Sequence, residues 1–397
     1  MLSGNGIVKK SLLSIAAGAF VLGAAEFVMM GILPETAAAM HVSIPTAGHF
    51  ISAYAIGVCI GVTMLVFGRK SSPKHLVILF MVLALIGNAM SALAPNATVL
   101  VIARFIAGLP HGAFFGTGTV IAKALADKGK EGKAVSVMVT GQTIANMFGV
   151  PAGTLLAEYL DWRLAFSILA IGAGLTIVLT LAWMPLIAAV PDAGLAGQFR
   201  FLAKPGPWLV LGAVFVGNSG VFCWWSYVSP WLQKTGGYES RFVPLLMMLA
   251  GFGMVVGGLA GGHLADRWLH SVTAAVGQSI SAAGLLMVFL VPGNLATCAL
   301  LTFWIAFGLF FINGPQMLLM ADAGKGGGEL IGGAAVQIGF NGGNAVGSLV
   351  GGMALNASGM DYHITGLAGL PFTVAAVLLL IAFAVRFESK ETLRVDA

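Results

Sequence analysis

One feature constrains this chain more than any other: apolar runs of about 20 residues, the length that crosses a bilayer as a helix, recur twelve times along it. Their approximate limits are 11–33, 44–67, 75–94, 98–124, 134–157, 163–185, 207–232, 242–265, 272–291, 296–320, 331–356 and 364–386. Hydrocarbon offers no partner for backbone N–H and C=O groups, so such runs must satisfy them internally as helices. Charged residues make up 9% of the chain and mean hydropathy is +0.95, against about 25% charged residues in a soluble domain. The expectation is an all-α membrane protein with twelve transmembrane helices. Lys9 and Lys10 before the first run resemble a signal peptide, but that run exceeds the roughly 7–15 residues of an h-region and reads as a retained first helix.

The distribution of charge orients the chain. With both termini on one side, that side carries sixteen lysines and arginines in short segments, among them Lys9, Lys10, Lys74, Lys123, Arg200 and Arg386. The opposite loops carry Arg163, Lys234 and Arg241. The positive-inside rule places the N- and C-termini in the cytoplasm of an inner membrane. The net charge of +5 is thus a topological signal and does not point to nucleic acid. The three cysteines, Cys59, Cys223 and Cys298, all lie inside apolar runs, which argues against a disulfide framework or a CxxC metal site.

The longest connection, 186–206, follows the sixth span and is rich in proline, dividing the chain into halves 1–185 and 207–397. The halves repeat one another. Gln142, Asn146 and Gly149 recur as Gln337, Asn341 and Asn344, each 195 residues on. Gly57 and Gly61 recur as Gly253 and Gly257, and Gly18 and Gly23 as Gly212 and Gly217. A near-constant offset across three helix pairs argues for duplication, with two six-helix halves related by an axis along the membrane normal. Transporters use this plan, with substrate between the halves near the midplane.

Several segments resemble the major facilitator superfamily, and within it the drug and sugar proton antiporters, closest to the arabinose and sugar efflux transporters. The resemblance spans essentially the whole chain. It rests on AAEFVMMGILPE (24–35), on Arg104-x-x-x-Gly108-x-x-x-Gly112 followed by Ala113-Phe114-Phe115-Gly116, and on Gly149-Val150-Pro151-Ala152-Gly153, similar to the antiporter motif of the fifth helix. Gly262-His263-Leu264-Ala265-Asp266-Arg267 resembles the gating loop motif, with Asp266 and Arg267 as its charged members. The first copy, Phe67 to Lys74, keeps a glycine and basic residues but has no aspartate. The resemblance implies a monomer that exports a small molecule, a sugar or drug-like compound, in exchange for protons. The proton gradient replaces any cofactor. A facilitator or importer of a polar solute, or a nucleoside exporter, remains open on the same residues.

Candidate site residues follow from polarity inside the apolar runs. Glu26 is the only charge in its span. Burying a carboxylate in hydrocarbon costs about 2.5–3.5 kcal/mol on the insertion scale, and burial favours the protonated form, so a group there can load and release a proton. Arg104 sits at a similar depth, about 10 Å below the outer surface at 1.5 Å rise per residue, and is expected to couple to Glu26 directly or through water. Arg104, Gly108, His111 and Phe115 share one helical face, making His111 a candidate for substrate binding or proton relay. Gln142 and Asn146, with Gln337, Asn341 and Asn344, offer neutral donors and acceptors to a common cavity, with Asn146 and Asn341 expected to face each other. Asn218, Phe222 and Trp225 fall at i, i+4 and i+7 and suit a sugar or an aromatic ring; Trp224 and Tyr227 also fit an interfacial aromatic belt. No Walker lysine pattern, HExxH spacing or catalytic constellation stands out, so the expectation is a non-enzymatic carrier without ATP or metal.

Overall fold

The computed structural model describes residues 4–68, 70–127, 130–188, 200–323 and 329–388. Among them the chain is helical throughout, with no strand. Ten helical rods are long and apolar enough to cross a membrane: α1 (Val8–Gly31), α2 (Ile44–Gly68), α3 (Pro73–Ala92), α4 (Ala97–Leu125), α6 (Trp162–Trp183), α7 (Pro205–Lys234), α8 (Ser240–Ala265), α9 (His270–Leu290), α10 (Leu295–Met320) and α12 (Ile364–Glu388). Two glycine-rich rods complete the set: α5 (131–159) and α11 (Glu329–Ala357). Much of the connection 186–206 lies outside the described residues, as do Arg69, Lys128 and Lys325.

The duplication is visible in the packing. In the first half α1 packs on α5 and α6, α2 on α4, and α3 on α4 and α6; the second half repeats these pairs as α7 with α11 and α12, α8 with α10, and α9 with α10 and α12. The repeated glycines explain one pair. A Cβ on Gly57 would lie 2.2 Å from the Phe105 carbonyl oxygen, and one on its mate Gly253 would lie 2.7 Å from that of Phe303. Only glycine lets these backbones approach so closely. The same offset therefore builds the α2–α4 and α8–α10 seams.

The halves meet along two further seams, α2 with α11 and α5 with α8, which exchange under the repeat. Faces that point away from both are apolar and exposed: Ile171 and Val178 on α6 are 70% and 60% exposed. That is the surface a lipid-embedded protein presents.

Several rods are interrupted where they reach the seams. Pro110 opens a new helical segment within α4 at Leu109. In α5, residues Ala145–Gly149 form a π turn in which the Val150 N–H donates to the Ala145 carbonyl, five residues back. Pro151, which follows, has no N–H to continue the regular ladder, and such turns concentrate at functional sites.

A cavity between the halves and a buried polar cluster above it

A cavity of 860 Å³ lies between the halves, lined by α4 and α5 from the first and by α8, α10 and α11 from the second. Its lining runs from Gly112, Asn146 and Phe310 in the interior to Lys123, Ser136 and Met320, which adjoin the loops on the face where the chain also begins and ends. The cavity thus opens on this terminal face.

The opposite face is sealed. The Ser348 hydroxyl in α11 donates to the Gly48 carbonyl in α2 at 3.0 Å, and the Tyr227 hydroxyl in α7 donates to the Ser348 carbonyl at 2.7 Å. Ser52 donates to the Ala345 carbonyl at 3.2 Å. On the second seam Ser240 donates to Glu158 at 2.8 Å. Below these bonds Phe27, Phe222, Phe310 and Phe340 join the two halves, with ring centroids 5.6 to 6.4 Å apart. Trp224 and Tyr227 are fully buried in this seal, so they do not form an interfacial belt. Trp225 packs beside Trp224, which meets Trp231 edge-on.

Behind the cavity wall, within the first half, α1, α2 and α4 enclose a polar cluster. Glu26 is 3% exposed, and Arg104 and His111 are fully buried. His111 Nε2 lies 3.5 Å from Glu26 Oε2. On its other side His111 Nδ1 lies 2.9 Å from the Tyr54 hydroxyl, which also reaches the Leu22 carbonyl at 3.2 Å. These contacts form a chain from a backbone carbonyl through Tyr54 and His111 to the carboxyl, its last link a 3.5 Å approach that is not yet a hydrogen bond. Two proton arrangements satisfy it. If Tyr54 donates to Leu22, His111 must present Nδ1–H to the phenol and a bare Nε2 to Glu26, which then carries the proton. If Tyr54 donates to His111, Nε2–H faces the carboxylate.

Arg104 makes no direct ion pair with Glu26, the direct form of the coupling expected from the sequence. Its Nη2 donates to the Ala25 carbonyl at 2.7 Å, and its guanidinium lies over Tyr54 at 4.5 Å and near Phe166 at 5.2 Å. It is level with Glu26, but His111 makes the direct contact. Arg104 Nε and Nη1, Glu26 Oε1 and His111 Nε2 have no hydrogen-bond partner among the described residues. Buried polar atoms left in that condition cost about 1–3 kcal/mol each.

The other candidate residues separate into two groups. Gln142, Asn146 and Gln337 line the cavity. Asn218, Asn341 and Asn344 are buried and absent from its lining. Asn218 donates to the Val214 carbonyl and Asn341 to that of Gln337, each four residues back. Asn341 therefore does not face Asn146 across the cavity: its amide is engaged along its own helix, on a rod packed closely against α7. Phe222 belongs to the aromatic seal. Asp266 and Arg267 are exposed in the connection between α8 and α9. Tyr54, Phe27 and Phe310 complete the site without having stood out in the sequence.

The sequence pattern of the Major Facilitator Superfamily matches residues 15–332. The chain belongs to that superfamily. Major facilitator relatives extend over nearly its whole length. AraJ of Escherichia coli (strain K12), provisionally assigned as a transporter, is 39% identical over 95% of both chains. The inner membrane transport protein YdhP of the same strain is 33% identical over 96% of this chain and 97% of its own. A chloramphenicol resistance protein of Streptomyces lividans is 26% identical over 94% of each. Among solved structures, a bacterial homologue of the human lysosomal transporter Spinster superimposes with a TM-score of 0.69 at 18% identity over 96% of both chains, a likeness of fold. The protein is thus a multi-pass inner-membrane transporter of the major facilitator fold.

Proposed function

We propose that this major facilitator protein exports a small sugar-like or drug-like solute in exchange for protons. The observation that carries the reading is the enclosed chain Tyr54–His111–Glu26, set in the first half above the cavity. A carboxyl held only by a histidine, without a fixed cation bonded to it, can change charge during a cycle; one locked in a bidentate arginine pair could not do so cheaply. Arg104, anchored to the peptide that precedes Glu26, supplies a positive field without capturing the carboxyl.

The positive-inside bias assigns the terminal face to the cytoplasm. On that assignment the cavity faces inward and the sealed face is the outer one. Solute enters from the cytoplasm while Glu26 gives up its proton through His111. The halves then rock about the α2–α11 and α5–α8 seams, the outer bonds of Gly48, Tyr227, Ser348 and Ser240 part, and solute leaves as Glu26 is reloaded. Support for the outward direction comes from the chloramphenicol resistance relative; the residues 149–153 similar to an antiporter motif agree with it.

The test uses proteoliposomes holding the purified protein, with radiolabelled chloramphenicol and L-arabinose as probes. An acidic lumen is expected to drive accumulation of at least one probe against its gradient. Transport that only equilibrates the probes, with no dependence on the pH gradient, would assign the protein to facilitated diffusion instead.

A further inference from the structure

We propose that the cavity selects uncharged solutes that present an amide- or diol-type edge beside an apolar face, and rejects cations, with the Asn146 carboxamide as the selecting group. The inference rests on the exporter reading above and adds the chemical class of its cargo.

Asn146 is the unusual residue in this wall. It is 97% buried by its 3% exposure, yet it lines the cavity, and neither its Nδ2 nor its Oδ1 has a hydrogen-bond partner among the described residues. Its repeat mate Asn341 has Nδ2 occupied by the Gln337 carbonyl at 3.2 Å. The local backbone accounts for the difference. Asn146 sits in the π turn 145–149, whereas α11 is an unbroken α-helix from Glu329 to Ala357. An extra residue in a turn rotates the register by about 100°. Duplicated residues therefore take different tasks: Asn341 has its donor engaged within its own helix and lies off the cavity, with only Oδ1 unpaired, whereas Asn146 holds a free donor and a free acceptor at the cavity.

The surroundings define what can meet that amide. Gln142 and Gln337 add two further carboxamides at the wall. The hydroxyl protons of Thr119, Thr140 and Thr143 are spent on carbonyls four residues back, so these side chains offer oxygen lone pairs. Phe115, Phe310, Met254 and Met317 add soft apolar surfaces to the same lining, which suit a ring or alkyl group. Among the described lining residues Lys123 is the only charged one, and it is exposed at the mouth. Glu26 does not line the cavity and points to His111. A cation entering here would lose its water without gaining a carboxylate, and would pass a lysine to do so. Charged solutes pay heavily for such desolvation; uncharged ones pay only for the polar groups that the amides then pair.

The decisive experiment measures binding to the full-length protein in detergent, without any gradient. Its outcome is then independent of proton coupling. Chloramphenicol (uncharged, with an aryl ring, an amide and a diol) is expected to bind saturably. Tetraphenylphosphonium, a lipophilic cation, is expected not to bind. Asn146→Leu should weaken chloramphenicol about tenfold, the effect of one lost buried hydrogen bond. Asn146→Asp keeps the shape and adds a carboxylate, and should gain tetraphenylphosphonium binding, a result that misfolding cannot imitate. The proposal is overturned if wild type binds tetraphenylphosphonium as tightly as chloramphenicol, if it binds no uncharged probe at millimolar concentration, or if Asn146→Leu leaves chloramphenicol affinity unchanged and Asn146→Asp gains no tetraphenylphosphonium binding. A protein that binds chloramphenicol as described but shows no proton-driven flux would keep this inference and remove the antiport reading.

Discussion

Gly48→Ala should open the outer seal. Gly48 faces the second half across the α2–α11 seam, where a Cβ would lie 2.2 Å from the Tyr227 hydroxyl and 3.3 Å from that of Ser348. The Tyr227 ring cannot swing aside, because it is fully buried and its hydroxyl is pinned to the Ser348 carbonyl. The clash exists only while the outer face is closed. Overpacking of this kind costs about 1–3 kcal/mol, and loss of the two bonds at this contact adds about 0.6 kcal/mol each in a membrane setting. The closed state thus loses roughly 2–4 kcal/mol relative to the open one, a population shift of roughly thirty- to a thousandfold. Spin labels on Thr98→Cys and Ala296→Cys, exposed at the outer ends of α4 and α10, report the opening by electron–electron distance measurement. The longer distance should dominate in Gly48→Ala. Adding Tyr227→Phe removes the clashing oxygen and should restore most of the shorter distance. An unchanged distance distribution in the single variant, or a double variant as open as the single one, would refute the assignment of this contact as the outer latch.

Arg104→Lys should retain part of the transport rate and Arg104→Ala should lose roughly thirtyfold, because a desolvated contact between the guanidinium and the Tyr54 face is worth about 2 kcal/mol; equal rates for the two variants in a vesicle flux assay would contradict this. Gly257→Ala should lower the melting temperature by forcing a Cβ against the Phe307 carbonyl, whereas Gly262→Ala, which meets nothing within 4 Å, should leave it unchanged. The outer seal should also respond to pH. Glu35, in the short Leu33–Ala39 segment beyond α1, is held up at about 7 by burial, with its own backbone bond opposing and the Glu158 charge adding to the rise. A carboxyl that is raised when closed penalises closure once ionised. The penalty is full above about 7 and vanishes as pH falls towards the ordinary value of 4.5. Acidifying the outer side through this window should therefore favour the short spin-label distance, and Glu35→Gln should remove the dependence. The charged groups on the segments around it are Glu158, His49, Lys234, Glu239 and Arg241, of which Glu239 and Arg241 pair with each other at 2.8 Å.

What the sequence disclosed and what it withheld have a common physical origin. Hydropathy and spacing are one-dimensional, and they located the rods, the duplication and the height of each polar residue. The glycine offsets disclosed the duplication, and their partners became visible only in the α2–α4 and α8–α10 seams, where close backbone approach demands glycine. Rods α5 and α11, the least apolar of the twelve, were legible through their matched Gln and Asn residues. Rotation about the helix axis was not legible. Glu26 and Arg104 are level, as depth arithmetic requires, but only packing decides that the guanidinium turns to Tyr54 and the Ala25 carbonyl while His111 turns to the carboxyl. Tyr54 gave no signal, since a lone tyrosine in an apolar run is unremarkable until the histidine is placed against it. The π turn at 145–149 separated Asn146 from Asn341 in role; Pro151 was its visible trace, but a proline announces a break without specifying its geometry.

The proposed antiport depends above all on Glu26 as the carrier of the coupled proton. Its most direct test compares wild type with Glu26→Gln in proteoliposomes, reading uphill accumulation of chloramphenicol under an imposed pH gradient beside gradient-free exchange of the same probe. The substitution keeps volume and removes the titratable charge. Glu26→Gln is expected still to exchange probe across the membrane but no longer to accumulate it. Accumulation at the wild-type rate in Glu26→Gln would contradict that role.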